Sequence, residues 1–318
     1  MKDILSDKSS RQVAISDRDN LLWEKLRETS ILSAADAYLN SMGNKGTRYM
    51  YRCYFNGFFR EGLLNPRQNL QFLSLANVDA IGDEIRRRSV GCEGTKQTKV
   101  AAYIGFTSYL ERTTQGMIRK MKPCKTSGSE TFKRLRMKSA TEALTELQCE
   151  KFIHGVSDKC FRMGLIVKML LQGAKRVSEV LEARIENIDW SKGTILFNQK
   201  KCKVGDGCTV ITFPQSYLNE LRAYVGDRES GLIFITRNGK KISSNHLYIF
   251  FVGVSVSIKL PIKVTPHVLR ASAITILSQK GVSSDAIMKV SGHASPAQVV
   301  YYDKTSREEN VSKEYTLI

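Results

Sequence analysis

The chain has 318 residues, of which 42% are hydrophobic, and its 49 basic and 31 acidic side chains leave a formal net charge of +18. That length is enough for two modest domains, each with a core of its own. No apolar run of the sequence reaches membrane-spanning length, so the charge predicts a polyanionic partner that is a nucleic acid and not a membrane.

The cysteines argue against a disulfide framework and against a metal centre. There are seven of them, and they are scattered along the chain. Cys202 and Cys208 have no partners at zinc-ligand spacing. We therefore expect reduced thiols, a cytoplasmic location and no metal.

The N-terminal third is predicted to be an arm followed by a helical bundle. Residues 1–30 are charged and weakly patterned, which is typical of a mobile arm. Residues 31–120 have a pattern that fits four helices, at 34–42, after Thr47, at 74–88 and at 98–113. Four basic side chains of this region are candidate phosphate contacts, namely Lys45, Arg48, Arg52 and Lys99. The alternative is that they form a solvated polar face.

A basic segment separates this bundle from the rest of the chain. Between residues 119 and 138 there are eight basic residues against one acidic residue, and Pro123 interrupts any helix there. Residues 121–140 are therefore predicted to be a linker that crosses a nucleic acid, with Lys133, Arg134 and Arg136 as candidate phosphate contacts. A flexible, solvated linker is the alternative.

Residues 141–318 are predicted to form a second, mixed domain. Helices fit residues 141–152 and 157–172, and the second of them ends at Gly173. The run Arg176-Val177-Ser178-Glu179 follows directly after this buried helix.

A small sheet and a further helix are expected next. Residues 194–197 and 209–213 fit two strands, and the loop between them carries three lysines, Lys200, Lys201 and Lys203. Residues 232–235 fit a third strand, and a helix is predicted after Ser244.

The most informative stretch begins at Thr265. Thr265 and Pro266 fit an N-cap and a first helical position, so a helix should begin there and end at Gly281. His267 and Arg270 lie three residues apart on one face, and we expect them at the edge of the buried face.

Two shorter helices should follow. Ser283 or Ser284 can cap one that ends at Gly292, directly before His293. Pro296 begins another that carries Tyr302, nine residues after His293. Three helix ends thus bring imidazoles, a guanidinium and a phenol together, which predicts an anion site with a nucleophile.

The order His-x-x-Arg, Gly-His and tyrosine, with Arg-x-Ser-Glu upstream, resembles the catalytic box of the tyrosine site-specific recombinases, the phage integrase family. The run Thr-Pro-His-Val-Leu-Arg-Ala, residues 265–271, is most similar to plasmid-borne members. The resemblance implies a mainly α fold with a small antiparallel sheet. It implies a core DNA-binding domain over 31–120 and a catalytic domain over 141–318.

The resemblance also implies the reaction. Double-stranded DNA would be cut and rejoined through a 3′-phosphotyrosyl intermediate, without a cofactor, in plasmid maintenance or resolution. A tetramer on paired DNA sites would carry out the exchange. Two alternatives stay open: a DNA-binding regulator that has kept the fold without turnover, and nicking and rejoining of one strand as type IB topoisomerases do.

Six residues match the family's chemical positions. Two arginines would grip the phosphate, a tyrosine would attack it, one histidine would act as base, the other would donate to a nonbridging oxygen, and a lysine would protonate the leaving oxygen. In that order they are Arg176 and Arg270, Tyr302, His267, His293 and Lys201, with Lys200 and Lys203 as alternatives for the lysine. The chain departs from the family at Ala174-Lys175, where Gly-Leu is usual, and at Ala271-Ser272, where His-Thr is common.

Overall fold

The computed structural model describes residues 19–126, 130–132, 142–198 and 207–302, with the backbone alone at residues 298, 301 and 302. The chain divides into two compact units, one up to residue 136 and one from residue 137. The described elements are mostly helices, with one three-stranded antiparallel sheet. The predicted fold class is confirmed.

The N-terminal unit is a helical packet with an aromatic core. After the helical residues 19–28, its helices are α1 (Ile31–Asn40), α2 (Lys45–Arg60), α3 (Gln71–Leu75), α4 (Val78–Arg88) and α5 (Glu93–Thr113). Asn44 caps α2, because its side chain accepts a hydrogen bond from the backbone N–H of Thr47. Phe55 of α2 packs edge-to-face on Phe106 of α5, with ring centroids 5.2 Å apart.

Two predictions for this unit are wrong. Residues 19–28 are helical and Leu26 is buried in the core, so the predicted mobile arm is wrong for this part, and residues 1–18 lie outside the described residues. The helix predicted at 74–88 is interrupted, because the Asn77 side chain accepts from the backbone N–H groups of Asp79 and Ala80 and thereby starts α4.

The C-terminal unit has one central helix surrounded by others and by the sheet. Its helices are α6 (Glu146–Lys159), α7 (Phe161–Gln172), α8 (Val177–Leu181), α9 (Gln215–Val225), α10 (Ser244–Ser257), α11 (Pro266–Gln279), α12 (Ser284–Ser291) and α13 (Pro296–Tyr302). Its strands are β1 (Ile188–Asp189), β2 (Thr194–Asn198) and β3 (Cys208–Thr212), in that spatial order. Most of α7 is buried, which makes it the centre of the core.

The hairpin is paired as expected, but its third strand is not. Phe197 of β2 lies opposite Thr209 of β3. The predicted strand at 232–235 is wrong, since this run makes isolated bridges at Leu232 and Ile235, and β1 is the third strand. Ile233 is fully buried against the core, so an apolar run that reads as a strand is here a packed connection.

The first helices of this unit also begin later than predicted. A capping box between Thr145 and Gln148 starts α6 at Glu146, whereas the sequence predicts a helix start at residue 141. Helix α6 then continues to Lys159, and Cys160 separates it from α7. The sequence instead predicts a break before residue 157.

Candidate active site

Helix α11 presents Arg270 from within the core. Thr265 caps the helix by accepting from the backbone N–H of Val268, at 3.2 Å, and Pro266 takes the first position, as predicted. Arg270 is only 2% exposed, so its expected place at the edge of the buried face is wrong. The reason is that α11 is buried over eight consecutive residues, 268–275, and has no solvent-exposed side along that stretch.

His293 lies against Arg270. Helix α12 is capped by Ser283 and ends at Gly292, whose left-handed backbone (φ 68°) turns the chain so that His293 points inward. His293 is 6% exposed, and its Nε2 lies 2.7 Å from an Nη2 of Arg270. Its Nδ1 lies 2.8 Å from the Oγ of Ser291.

The hydrogen bonds around His293 define its tautomer. A guanidinium can only donate, so Nε2 of His293 accepts from Arg270. The hydroxyl of Ser291 donates to the carbonyl of Ile287 at 2.7 Å and can therefore accept the proton of Nδ1. Burial and, to a smaller extent, the positive charges of Arg270, Arg176 and Lys175 together lower the pKa of His293 to about 3. His293 is thus a neutral imidazole at neutral pH.

Arg176 stands on the turn between α7 and α8. Its Nη1 lies 2.8 Å from Glu179, a buried carboxylate that also accepts from the backbone N–H of Arg176 at 3.1 Å. The side chain of Arg176 remains 33% exposed. Arg270 donates to the carbonyl of Ala174, two residues before Arg176, and the charges of both arginines lower the pKa of His293.

The other predicted residues are located less completely. His267 is exposed on the first turn of α11. Tyr302 ends α13, which is anchored because Val299 packs in one cluster with Ile274 of α11 and Ile287 of α12. Lys201 and its alternatives Lys200 and Lys203 lie outside the described residues.

The candidate phosphate contacts of the N-terminal unit differ in their surroundings. Arg48 donates to the carbonyl of Met42, and Arg52 pairs with Asp36 at 3.0 Å. Lys45 is exposed and Lys99 is half-buried. The three contacts predicted in the linker, Lys133, Arg134 and Arg136, lie outside the described residues.

One residue at the site was not assigned a role from the sequence. Lys175 directly precedes Arg176 and is completely buried. The signal that could have found it is the departure from the usual Gly-Leu at Ala174-Lys175, because a lysine in place of a core leucine needs partners.

Metal and membrane features can be assessed over the described part of the chain. Within it, no group of three or more histidine, cysteine, aspartate or glutamate side chains could hold a metal ion. None of its helices is both long enough and apolar enough to cross a membrane.

Two guanidinium groups and a neutral imidazole meet in the mainly helical C-terminal unit, and this set of donors is chemically suited to an anion. The chain belongs to the phage integrase family, whose model matches residues 133–309. It is 37% identical to the virulence plasmid integrase pGP8-D of Chlamydia trachomatis serovar L2 over 98% of this chain and 95% of that protein. It is 28% identical to the tyrosine recombinase XerA of Pyrococcus furiosus over 89% of this chain and 92% of that protein.

The fold is also that of a solved member. The XerH site-specific recombinase, in a post-cleavage complex with a palindromic difH substrate, superposes with a TM-score of 0.63 at 19% identity. The match covers 91% of this chain and 98% of that one.

Proposed function

We propose that the protein is a site-specific recombinase that cuts and rejoins double-stranded DNA through a 3′-phosphotyrosyl intermediate. The observation that carries the proposal is the contact between Arg270 and His293 beside the turn of Arg176. The relatives named as plasmid integrases favour a role in plasmid maintenance or resolution. No metal or nucleotide cofactor is needed for the steps below.

The two guanidinium groups suit the negative charge that develops on a phosphate. Phosphoryl transfer is catalysed mainly by positioning and by stabilising negative charge on the phosphate oxygens. Arg176 and Arg270 can each donate two parallel N–H groups to a phosphate, which lysine cannot do. Glu179 orients Arg176, and the carbonyl of Ala174 orients Arg270, before DNA arrives.

Phosphate binding would also change the state of His293. In the structure, its Nε2 accepts from Arg270. A phosphate oxygen would take over that N–H of Arg270 and would offset the surrounding positive charge that lowers the pKa of His293. The imidazole could then carry a proton on Nε2 and donate to a nonbridging oxygen.

The remaining roles follow the order of the reaction. The phenol of Tyr302 has an ordinary pKa of about 10, so attack at neutral pH requires a base, for which His267 is the candidate. Attack forms the phosphotyrosyl ester and releases a 5′ oxygen, which Lys201 would protonate. The ester keeps the energy of the broken phosphodiester, so rejoining to a 5′ hydroxyl needs no ATP.

Covalent trapping on a nicked suicide substrate tests the proposal. Tyr302→Phe removes one hydroxyl and no charge, so it should abolish the covalent complex and leave DNA binding nearly unchanged. Tyr301→Phe is the matched control and should remain active. If Tyr301→Phe is the inactive variant, the nucleophile is the neighbouring tyrosine, a rotation of about 100° on the helix.

The same assay separates the alternatives. A wild-type protein that binds DNA and never becomes covalently attached would be a DNA-binding regulator. One that is trapped but rejoins only the strand it cut would act like a type IB topoisomerase. A recombinase joins the trapped end to a second DNA, and we propose that a tetramer on paired sites does so.

The linker is proposed to contact DNA phosphates together with Lys45, Arg48, Arg52 and Lys99. Neutralising Lys133, Arg134 and Arg136 together should lower the magnitude of the log–log salt dependence of binding by up to about three, close to one unit per lost contact. An unchanged slope would show that this segment is a spacer.

A further inference from the structure

The side chain of Lys175 is a buried cation that the steps above do not use. It is completely inaccessible to solvent and is among the largest fully buried side chains of the described residues. An ammonium group in the interior is costly unless it is paired and hydrogen-bonded. A leucine would fill such a position at less cost, so the contacts made by the ammonium need an explanation.

The ammonium group joins three elements that are far apart in sequence. Its Nζ donates to the Oγ1 of Thr209 on β3 and, at 2.7 Å, to the carbonyl of Val290 on α12. It also lies 5.3 Å from the centre of the Phe197 ring on β2, a favourable position for a cation. The carbonyl of Val290 belongs to the last turn of α12, where the helix dipole attracts a positive charge.

These contacts place Lys175 between the parts of the proposed site. Its own backbone is continuous with Arg176, and the residue before it, Ala174, accepts from Arg270. Its acceptor Val290 is followed by Ser291, which contacts the imidazole of His293. A single side chain therefore ties the Arg176 turn and β3 to the helix end that carries His293.

We propose that Lys175 is a positioning residue of the recombinase, which holds the end of α12 against the Arg176 turn so that His293 meets the same phosphate as the two arginines. This inference rests on the proposed function. It assigns no bond-making step to Lys175, which acts through the carbonyl of Val290.

The charge of Lys175 fits this role at neutral pH. The pKa of its ammonium is lowered to about 8, mainly by burial. The charge of Glu179 raises this pKa, and the charges of Arg270 and Arg176 lower it. The group thus still carries its proton at neutral pH, and all three of its N–H donors are available for the contacts described.

The test uses the substitution Lys175→Met, which keeps the length of the side chain and removes its donors. Single-turnover cleavage is measured at saturating DNA on a 5′-bridging phosphorothiolate, whose better leaving group keeps slow variants measurable. We expect the rate to fall at least about tenfold, which corresponds to about 1.4 kcal/mol in the barrier. The Kd for DNA should change less than about threefold, since the side chain is buried and cannot reach DNA.

Unfolding by urea separates positioning from a structural role. Lys175→Met removes the cost of a buried ammonium but also removes the donor to the carbonyl of Val290, so the two effects offset each other and its urea midpoint should lie close to that of the wild type. Cleavage is therefore measured under conditions where both proteins are folded. Lys168→Met is the matched control, since Lys168 lies on α7 and pairs with Glu220 at 2.6 Å, away from the contacts of Lys175. It should cleave at the wild-type rate.

Coupling to His293 completes the experiment. If Lys175 acts by placing His293, then adding Lys175→Met to His293→Gln should slow cleavage less than about threefold further. A loss that is fully additive in the double variant overturns the proposal, as does a single variant within threefold of the wild-type rate. Should Lys175→Met not fold, Thr209→Val removes one acceptor, and a rate loss coupled to His293 in the same way is required.

The outcome is distinguishable from a failure of the proposed function. A wild-type protein that forms no covalent complex overturns both proposals. A wild-type protein that cleaves, together with Lys175→Met that cleaves equally well, overturns the role of Lys175 alone.

Discussion

Replacing Arg270 by lysine should damage both the fold and the reaction, although the charge is kept. One guanidinium reaches two acceptors that belong to different segments, the carbonyl of Ala174 and the Nε2 of His293. A lysine has a single nitrogen on a shorter reach and cannot bridge them. In a site that is 2% exposed, water cannot replace the lost partner.

The size of the expected loss of stability follows from the buried acceptor that is left without a hydrogen bond. A buried polar group without its hydrogen bond costs about 1–3 kcal/mol, so Arg270→Lys should lower the free energy of unfolding of the C-terminal unit by that amount. Arg176→Lys is the matched control. Its side chain is 33% exposed, and a lysine can still pair with Glu179, so a change within about 0.5 kcal/mol is expected. Both variants should lose most cleavage activity, since both lose the bidentate fork.

The assay can be restricted to the relevant unit. The chain has two tryptophans, and Trp190 packs against the C-terminal core with the guanidinium of Arg222 5.0 Å from the centre of its ring. In a Trp23→Phe background, its fluorescence during urea unfolding therefore reports the C-terminal unit. An Arg270→Lys variant as stable as Arg176→Lys would refute the bridging role of Arg270.

Three further outcomes are expected. The pKa of His293 is about 3 in the folded protein, below its ordinary value of about 6.5. Between these two pH values the unfolded chain binds a proton that the folded chain does not. The free energy of unfolding therefore falls as the pH drops through that window, by at most about 1.4 kcal/mol per pH unit. Urea titrations of His293→Gln at about pH 7 and about pH 4.5 should lack this part of the slope, and an unchanged slope would contradict the burial of a neutral imidazole. Ala174 has a φ of 45°, a conformation that glycine adopts without strain. Ala174→Gly should therefore lower the free energy of unfolding by about 1–2 kcal/mol less than Ala273→Gly, a helical position in the same cluster. Equal losses in urea unfolding would contradict strain at Ala174. Deleting residues 315–318 should leave binding to one DNA site intact and weaken cooperative binding to paired sites in gel-shift assays, whereas synapsis at the full rate would exclude a role for this tail between protomers.

Local signals in the sequence were reliable where they acted over a few residues. Thr265 and Pro266 begin α11, and Gly292 ends α12, as their side chains and backbone freedom require. Asn77 carries the same kind of signal: its side chain caps a new helix, whereas the hydrophobic periodicity predicts one continuous helix over 74–88. At 232–235 the apolar run predicts a strand where the structure has a packed connection, because burial against the core requires the same residue types with or without a partner strand.

By itself, the sequence determined the fold class, the helix ends of the site and the order of the residues that match the family, because each depends on side chains close together along the chain. Only the tertiary structure decided that Arg270 is buried and that His293 is its partner. The decisive contacts join residues far apart: 96 positions separate Arg270 from Ala174, and 115 separate Lys175 from Val290. Whether a basic residue faces solvent or spans the core depends on which distant segment packs against it, and no periodicity within one helix encodes that choice.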